Sequence, residues 1–288
     1  MTWLLLLAAV APVAFMLHYV YTRDRYEKEP IGRIAVVFFA SFLTVIPAAI
    51  AESLLMGGEP VGLLAIAVTC FLVIALSEEF FKYLAVKWLA VRHPSFNEVY
   101  DGILYAVVAS LGFACVENIL YVFMSAAEST GEGFVVAVLR AFLAVPGHAL
   151  WGVMMGYYIG LAKLEPNTAK KRPLVIKGVA IAVFWHGLYD FFAFGIESVD
   201  GGVAVLFAVG VLAVVIVNWI IGIRLIRKAQ ALSSFKRPNP LVNPIAAVHQ
   251  RIKYCHRCGA PQPRAAVHCT QCGYEFPPRP GGGSPELQ

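Results

Sequence analysis

Ionisable side chains whose types and spacing could support hydrolysis lie inside long apolar stretches of this sequence. The first group reads Glu78-Glu79-Phe-Phe-Lys82, in which the lysine can pair with either glutamate if the segment is helical. Neighbouring residues point about 100° apart around a helix, so we expect different roles for the two glutamates. One of them could act as a general base that takes a proton from water. The alternative is a charged helix end at a membrane interface.

Two further groups, Glu117 and His148, are also surrounded by apolar residues. Glu117 has no route by which its carboxylate could reach water along the apolar stretch around it. His148 follows Pro146-Gly147, and glycine recurs at every fourth position from 152 to 160. This spacing of small residues lets two helices approach closely. For each group, an ordinary hydrogen bond between helices remains an alternative.

His186 and Asp190 are four residues apart, so on a helix the imidazole and the carboxylate share one face. This arrangement suits a histidine oriented by an acid, or a metal ligand with its supporting carboxylate. The candidate catalytic residues are therefore Glu78, Glu79, Glu117, His148, His186 and Asp190.

Glutamates that activate water and histidines that bind zinc or stabilise an oxyanion indicate carboxylate-driven or metal-assisted hydrolysis. A catalytic zinc would have Glu117, His148 and His186 as its candidate ligands. The chain contains neither a Gly-x-Ser-x-Gly elbow nor a His-Glu-x-x-His motif, so serine hydrolysis and the common zinc-protease helix are not expected.

The elements that carry these residues are predicted to be membrane spans. The chain has 288 residues, of which 59% are hydrophobic and 14% charged, whereas soluble proteins carry about 25% charged residues. We therefore predict an all-α polytopic membrane protein with about seven transmembrane helices, because lipid cannot satisfy open backbone groups. The predicted spans are 2–21, 33–55, 61–86, 101–126, 134–161, 174–196 and 202–226.

Counting along these spans places the candidate residues at different depths. Glu78 falls in the inner half, the two histidines near the middle, and Glu117 and Asp190 further out. A shared site therefore requires tilted or broken helices. The first basic residue, Arg23, follows the first apolar stretch, which favours an uncleaved helix over a signal peptide.

The distribution of lysine and arginine predicts the orientation. These residues cluster in the connections after the first, third and fifth spans and after the seventh, and the other connections contain none. By the positive-inside rule, the N-terminus lies outside and the C-terminus in the cytoplasm. We expect a multi-pass protein of the cell membrane, in contact with lipid. The sequence leaves its oligomeric state open.

The C-terminal region has a different composition. Cys255-x-x-Cys258 and Cys269-x-x-Cys272 are separated by ten residues, and a glycine follows each pair. This spacing predicts a closed structural zinc site whose metal supplies folding energy. The predicted domains are a transmembrane unit 1–228, a linker 229–252, a zinc ribbon 253–277 and a disordered tail 278–288. Basic residues in the ribbon suit nucleic acid, anionic lipid or a cytoplasmic protein, and equally a solvated surface.

Several functions suit a membrane protein with buried ionisable residues. A proton-coupled carrier or small-solute transporter also uses acid and histidine chains, but carriers show paired repeats, and here the ionisable residues crowd into spans three to six. A non-catalytic scaffold whose ribbon recruits a partner is another alternative. A third is an enzyme that processes prenylated proteins or peptides.

The motifs in this order resemble the PrsW family of intramembrane proteases, which is similar in turn to the CAAX prenyl proteases. The resemblance covers about residues 1–228 and rests on the four groups above, with Phe113 ahead of Glu117 and Trp151 after His148. It implies a protease that cuts a membrane-anchored protein such as an anti-sigma factor. It also implies that Glu78 and Glu79 are the essential pair. Glu117, His148, His186 and Asp190 would be further active-site residues, in a mechanism driven by metal or by glutamate. The appended ribbon departs from the shortest members of the family.

Overall fold

The structure, a computed structural model, describes residues 2–235, 252–263 and 266–276. Within them, seven helical segments are long and apolar enough to cross a membrane, judged by length and composition. The predicted all-helical multi-pass architecture is therefore confirmed. The helices are α1 (Thr2–Arg23), α2 (Ile31–Phe42), α3 (Val45–Leu55), α4 (Leu63–Val68), a π-helical segment (Thr69–Ile74), α5 (Ala75–Leu89), α6 (Val99–Glu128), α7 (Thr130–Phe142), α8 (Ala144–Leu164), α9 (Thr168–Gly195), a 3₁₀ turn (Ile196–Ser198) and α10 (Gly201–Ala231).

Four of the seven spans are not single regular α-helices: the sixth ends in the 3₁₀ turn, and the second, third and fifth are interrupted within their length. The second divides into α2 and α3 at Leu43–Thr44, where the Thr44 hydroxyl donates to the Ser41 carbonyl (2.6 Å) and Pro47 lacks the N–H that would continue the helix. The third contains the π-helical segment between α4 and α5. The fifth divides into α7 and α8 at Leu143, so Pro146 lies in the first turn of α8, where its missing N–H is tolerated.

Helix α6 forms the centre of the bundle. Within its most apolar stretch of 18 residues, 78% is buried. Its main neighbour is α8, against which it packs with almost no intervening side chain. A Cβ atom at Gly156 would collide with the Gly102 carbonyl, and one at Gly160 would collide with the Val99 carbonyl. The glycine spacing therefore brings the α8 backbone directly against α6, as the sequence predicts.

A buried carboxyl group joins the connections at one end of the bundle. Glu29, between α1 and α2, accepts hydrogen bonds from Ser95 (2.6 Å) and from Tyr105 (2.5 Å). Burial raises the pKa of Glu29 to about 8 and that of Glu98, at the start of α6, to about 7. Glu98 accepts from the Ser233 hydroxyl just after α10. Glu29 and Glu98 thus link three connections at this end of the bundle: the one before α2, the one before α6 and the segment after α10.

The C-terminal unit contains strands β1 (Ile252–Tyr254) and β2 (Pro261–Pro263), which pair antiparallel with Lys253 opposite Gln262. Gly259 and Gly273 have φ of +73° and +71°, the left-handed conformation that a tight turn after each cysteine pair requires. Helix α10 continues to Ala231, into the predicted linker. Residues 236–251 and the predicted tail 278–288 lie outside the described residues.

Candidate functional site

A cavity of about 320 Å³ lies inside the helical bundle and brings most of the candidate residues together. It is bounded by α3, α5, α6, α7, α8 and α9. The predicted residues that line it are Glu78, Glu117, His148, His186 and Asp190. Glu79 lies behind them, within contact distance of His186.

The interrupted spans explain how groups at different predicted depths meet. The π-helical segment Thr69–Ile74 ends one helical turn before Glu78, and its wider turn changes the rotation of the residues that follow. The break at Leu143 lets Arg140 of α7 and His148 of α8 line the same cavity. The sequence predicts that a shared site requires tilted or broken helices, and the irregular helices of the structure meet this requirement.

Lys82 is the central cation of the cluster and is fully buried. Its ammonium nitrogen lies 2.9 Å from Glu78 Oε2, 2.8 Å from Glu79 Oε1 and 3.1 Å from His148 Nδ1. An ammonium group has three hydrogens to donate, so these three acceptors use all of them. The sequence predicts a pair with either glutamate; in the structure Lys82 binds both and also reaches the histidine.

The contacts of His148 define its hydrogen-bonding roles. Because Lys82 can only donate, Nδ1 of His148 accepts and Nε2 carries the hydrogen. That Nε2 atom lies 2.8 Å from Glu117 Oε2. His148 therefore joins the Lys82 cluster to Glu117 across α6 and α8.

His186 is held between carboxylates and an aromatic ring. Its Nδ1 atom lies 3.0 Å from Glu79 Oε1, and Nε2 lies 3.2 Å from Asp190 Oδ2 and 3.9 Å from Glu78 Oε2. Trp151 stacks on the imidazole, with ring centroids 4.0 Å apart and an interplanar angle of 13°. The expected pairing of His186 with Asp190 is present, and the ring is oriented from three sides.

The two adjacent glutamates occupy different environments. Glu78 lines the cavity, whereas Glu79 has no exposed surface and shares Oε1 between Lys82 and His186. Glu78 can therefore meet a molecule in the cavity, while Glu79 positions its neighbours. This difference agrees with the separate roles expected from their spacing.

Two ionisable residues outside the candidate set also line the cavity. Glu52 of α3 accepts a hydrogen bond from the Ser77 hydroxyl (3.0 Å). Arg140 of α7 places Nη2 3.2 Å from Glu117 Oε2. Both residues fall inside predicted spans, and an ionisable residue within a span is the signal that could have identified them.

The donor atoms around the cavity fit a divalent metal. Single ligand atoms of Glu78, His148 and His186 all lie within 4.8 Å of one another, so the structure groups Glu78 with the histidines, where the sequence suggests Glu117. Two histidines and one glutamate form a common ligand set of catalytic zinc. Around the cavity, the carboxyl groups outnumber the lysine and arginine cations, Lys82 and Arg140. The carboxyl groups are Glu52, Glu78, Glu79, Glu117 and Asp190.

The second group with metal-binding geometry is the cysteine cluster. One Sγ atom from each of Cys255, Cys258, Cys269 and Cys272 lies within 4.8 Å of the others. Four thiolates at this spacing suit a closed tetrahedral site. The four cysteines are not among the residues that line the cavity, and four protein thiolates leave no coordination position of a tetrahedral metal for a substrate, so the cluster suits a structural metal.

A comparison with known proteins finds a family whose sequence model matches most of the helical bundle. The sequence model of the PrsW family intramembrane metalloproteases matches residues 29–220, which include every candidate residue around the cavity and exclude the cysteine cluster. No solved structure matches the chain.

Individual proteins that resemble this chain are proteases of the same family. Protease PrsW of Geobacillus kaustophilus is 38% identical over 186 residues, which cover 65% of this chain and 78% of the relative. Protease PrsW of Oceanobacillus iheyensis is 36% identical over 67% of this chain and 85% of the relative. For Protease PrsW of Bacillus subtilis the values are 36%, 64% and 80%. The chain therefore belongs to the PrsW family of intramembrane metalloproteases.

Proposed function

We propose that this intramembrane protease hydrolyses a peptide bond of a membrane-anchored protein in the cavity between α3 and α9, with Glu78 as the residue that activates water. The observation that carries the proposal is the position of Glu78. It is the one glutamate of the Glu78–Glu79 pair that lines the cavity, and it does so beside His148 and His186. A carrier or a scaffold is not supported by the family to which the chain belongs.

In the glutamate version of the mechanism, the Glu78 carboxylate takes a proton from a water molecule whose oxygen attacks the carbonyl carbon of the substrate. The same proton then passes to the leaving amine nitrogen as the C–N bond breaks. Glu79 fixes His186 through Nδ1, and Nε2, which makes no hydrogen bond to Asp190 Oδ2 at 3.2 Å, is the nitrogen that would donate to the oxygen that becomes negative. Lys82 keeps the two glutamates apart and oriented.

In the metal version, Glu78, His148 and His186 would hold a zinc ion. When bound, such an ion would act as a Lewis acid and would lower the pKa of the water molecule that it binds. Glu117 then remains the carboxylate of the candidate set that faces the cavity near His148 and takes the role of base. The two versions differ in the role of Glu78, and each keeps Glu79 and Asp190 as positioning residues for His186.

The test is cleavage of a single-span reporter protein by the purified full-length protein in lipid vesicles. We expect cleavage within or beside the span of the reporter. The variants Glu78→Gln, Glu79→Gln and His186→Ala should each lose at least about 100-fold in rate, the usual scale for loss of a general base or its support. Lys87→Met, on the exposed face of α5, is the control and should cleave normally. A prenylated C-terminal peptide offered as a second substrate should be left intact. Undiminished cleavage by all three variants would overturn the assignment.

Metal analysis, combined with cleavage in the presence of a chelator, separates the two versions. If both sites bind zinc, the full chain contains two zinc ions, and Cys255→Ser/Cys258→Ser removes one while His148→Ala/His186→Ala removes the other. Loss of cleavage on chelation in the cysteine variant would then support the metal version. A full chain that contains a single zinc ion, unchanged in His148→Ala/His186→Ala and lost in the cysteine variant, supports the glutamate version.

We further propose that the N-terminus lies outside the cell and that the cysteine unit is a cytoplasmic zinc ribbon. The clustering of lysine and arginine in alternate connections supports this orientation. The ribbon would then reach a cytoplasmic protein or nucleic acid. Labelling of single cysteines introduced at Gly57 and Gly32, on opposite predicted sides, tests the orientation: an impermeant reagent applied outside should label only the first.

A further inference from the structure

The guanidinium of Arg140 is held in one position at the cavity wall. Its Nε atom donates to Asn118 Oδ1 (2.7 Å), and its Cζ lies 4.3 Å from the centre of the Tyr121 ring. Asn118 is fully buried, and its amide donates to the Ala9 carbonyl in α1 (2.6 Å). The arginine is therefore aimed by contacts from α6 and, through Asn118, from α1.

One end of this guanidinium has more hydrogens to donate than acceptors among the described residues. Arg140 Nη2 is buried and makes no hydrogen bond within the described residues, although it lies 3.2 Å from Glu117 Oε2. That carboxylate oxygen likewise makes no hydrogen bond with suitable geometry. Nη2 carries two hydrogens, and the single carboxylate contact with Glu117 leaves at least one of them without an acceptor. A buried charged N–H that is left unpaired is costly, so its retention beside a cavity points to an acceptor supplied by a ligand.

The substrate of an intramembrane protease brings such acceptors. A membrane-spanning segment satisfies its carbonyl groups within its own helix, and a peptide bond must leave that helix before water can attack it. Each carbonyl that is freed in the hydrocarbon has no water to bond and is unfavourable unless a donor replaces its partner. The cavity must therefore provide donors to the unwound segment.

We propose that Arg140 donates through Nη2 to a backbone carbonyl of the unwound substrate segment, and that Asn118 is the positioning residue that aims it. This rests on the proposed function, because it requires a peptide in the cavity. Arg140 thus acts in substrate binding, and it compensates for the helical hydrogen bond that the substrate gives up. Glu117 stays within 3.2 Å of the same Nη2 nitrogen, which carries two hydrogens, one for each partner.

The first experiment measures binding, so it does not depend on catalysis. A fluorescent single-span peptide is titrated into vesicles that contain the full-length Glu78→Gln protein, with and without Arg140→Met or Arg140→Lys. Arg140→Lys keeps the charge beside Glu117 but cannot reach Asn118 and the cavity together. We expect each variant to weaken binding on the order of tenfold, the effect of one hydrogen bond from a charged donor. Arg23→Met is the matched control, since Arg23 also lies over a tyrosine ring, Tyr19, but outside the cavity.

The second experiment identifies the carbonyl. Peptides in which one amide at a time is replaced by an ester have a weaker acceptor at the carbonyl of that position. With Arg140 present, one position should weaken binding more than its neighbours, and with Arg140→Met this difference should disappear. Asn118→Ala should reduce the same difference without removing the charge.

The outcomes separate this proposal from the proposed function. If the wild-type protein cleaves the reporter but Arg140→Lys and Arg140→Met bind the peptide as tightly as the Arg23→Met control, the role of Arg140 is wrong and the proposed function stands. An ester effect that is equal in both backgrounds at every position also overturns it. If the wild-type protein does not cleave the reporter and the peptide does not bind to the Glu78→Gln protein, both proposals fail.

Discussion

Removal of the Lys82 ammonium should destabilise the protein more than any other single change of charge around the cavity. The nitrogen lies within 3.1 Å of three acceptors, and the side chains of Lys82 and Glu79 are fully buried. Lys82→Met leaves two carboxylates and a histidine without this donor, in surroundings that water cannot enter freely. Breaking a buried ion pair from one side costs about 3–5 kcal/mol, and with two carboxylates affected we expect about 5 kcal/mol.

The assay is thermal unfolding of the purified full chain in detergent, followed by intrinsic tryptophan fluorescence. A cost of that size corresponds to a decrease in Tm of about 10–20 °C for a unit of this length. The double variant Lys82→Met/Glu79→Gln should recover at least half of the decrease, because one of the carboxylates is then neutral. Lys87→Met is the control: Lys87 is exposed on the same helix and should change Tm by no more than about 2 °C.

Two results would refute the reasoning. One is a Tm for Lys82→Met that equals that of the Lys87→Met control, which would mean that the cluster does not hold the helices together. The other is a double variant that is no more stable than Lys82→Met alone. In that case the cost would come from a packing defect rather than from unpaired carboxylates.

Three further predictions concern other parts of the molecule. Because burial raises the pKa of Glu29 from 4.5 to about 8, the folded state keeps a proton that the unfolded chain releases, so Tm should fall as the pH rises from 4.5 to 8. Glu29→Gln should flatten this slope in a thermal scan at each pH. Gly156→Ala should separate α8 from α6 and greatly reduce the yield of folded protein in size-exclusion chromatography, whereas Gly32→Ala, which meets nothing within 4 Å, should not. Cys255→Ser/Cys258→Ser should remove one bound zinc and open the ribbon to limited proteolysis, without changing the Tm of the helical bundle.

Each of these has an outcome that would contradict it. A Tm that rises between pH 4.5 and 8, or a slope that Glu29→Gln leaves unchanged, would mean that other groups control the response to pH. Equal yields of Gly156→Ala and Gly32→Ala would show that the backbones of α6 and α8 are not in contact. An unchanged zinc content in the cysteine variant would place the metal elsewhere.

The sequence predicts the spans and the candidate residues because both follow from a single physical cost. Charge is expensive in hydrocarbon, so long apolar stretches identify the helices, and the few ionisable residues within them, such as Glu78 and His186, stand out. The spacing of His186 and Asp190 even predicts a pair that the structure contains. These are local properties that can be read along one helix.

Contacts between distant parts of the chain could not be read in this way. Lys82 and His148 are separated by 66 residues, and their contact depends on how α5 and α8 pack. The π-helical segment Thr69–Ile74 contains neither proline nor glycine, so this irregularity is not visible in the sequence. The break at Leu143 does have a signal, because Pro146 follows it and cannot donate a hydrogen bond to the preceding turn. The depth at which the groups meet depends on these irregularities.

The position of Arg140 in the cavity could not be predicted from the sequence either. Its position along the chain suggests a location near an interface, but the break at Leu143 turns it into the cavity beside Glu117. Its partner Asn118 is bonded in turn to α1, more than a hundred residues earlier in the chain. A single sequence does not contain the packing that produces such a chain of contacts.

The central claim is that Glu78, in the cavity with His148 and His186, is required for hydrolysis of a membrane-anchored substrate. The most direct measurement is mass spectrometry of the products that the wild-type protein and the Glu78→Gln variant form from a single-span reporter in vesicles. The variant is used once its Tm is shown to equal that of the wild-type protein, so that both are folded. The account predicts two fragments from a cut within or beside the span of the reporter, with a new carboxylate that contains oxygen from labelled water, and no fragments from Glu78→Gln. The same fragments at the same rate from Glu78→Gln would contradict it.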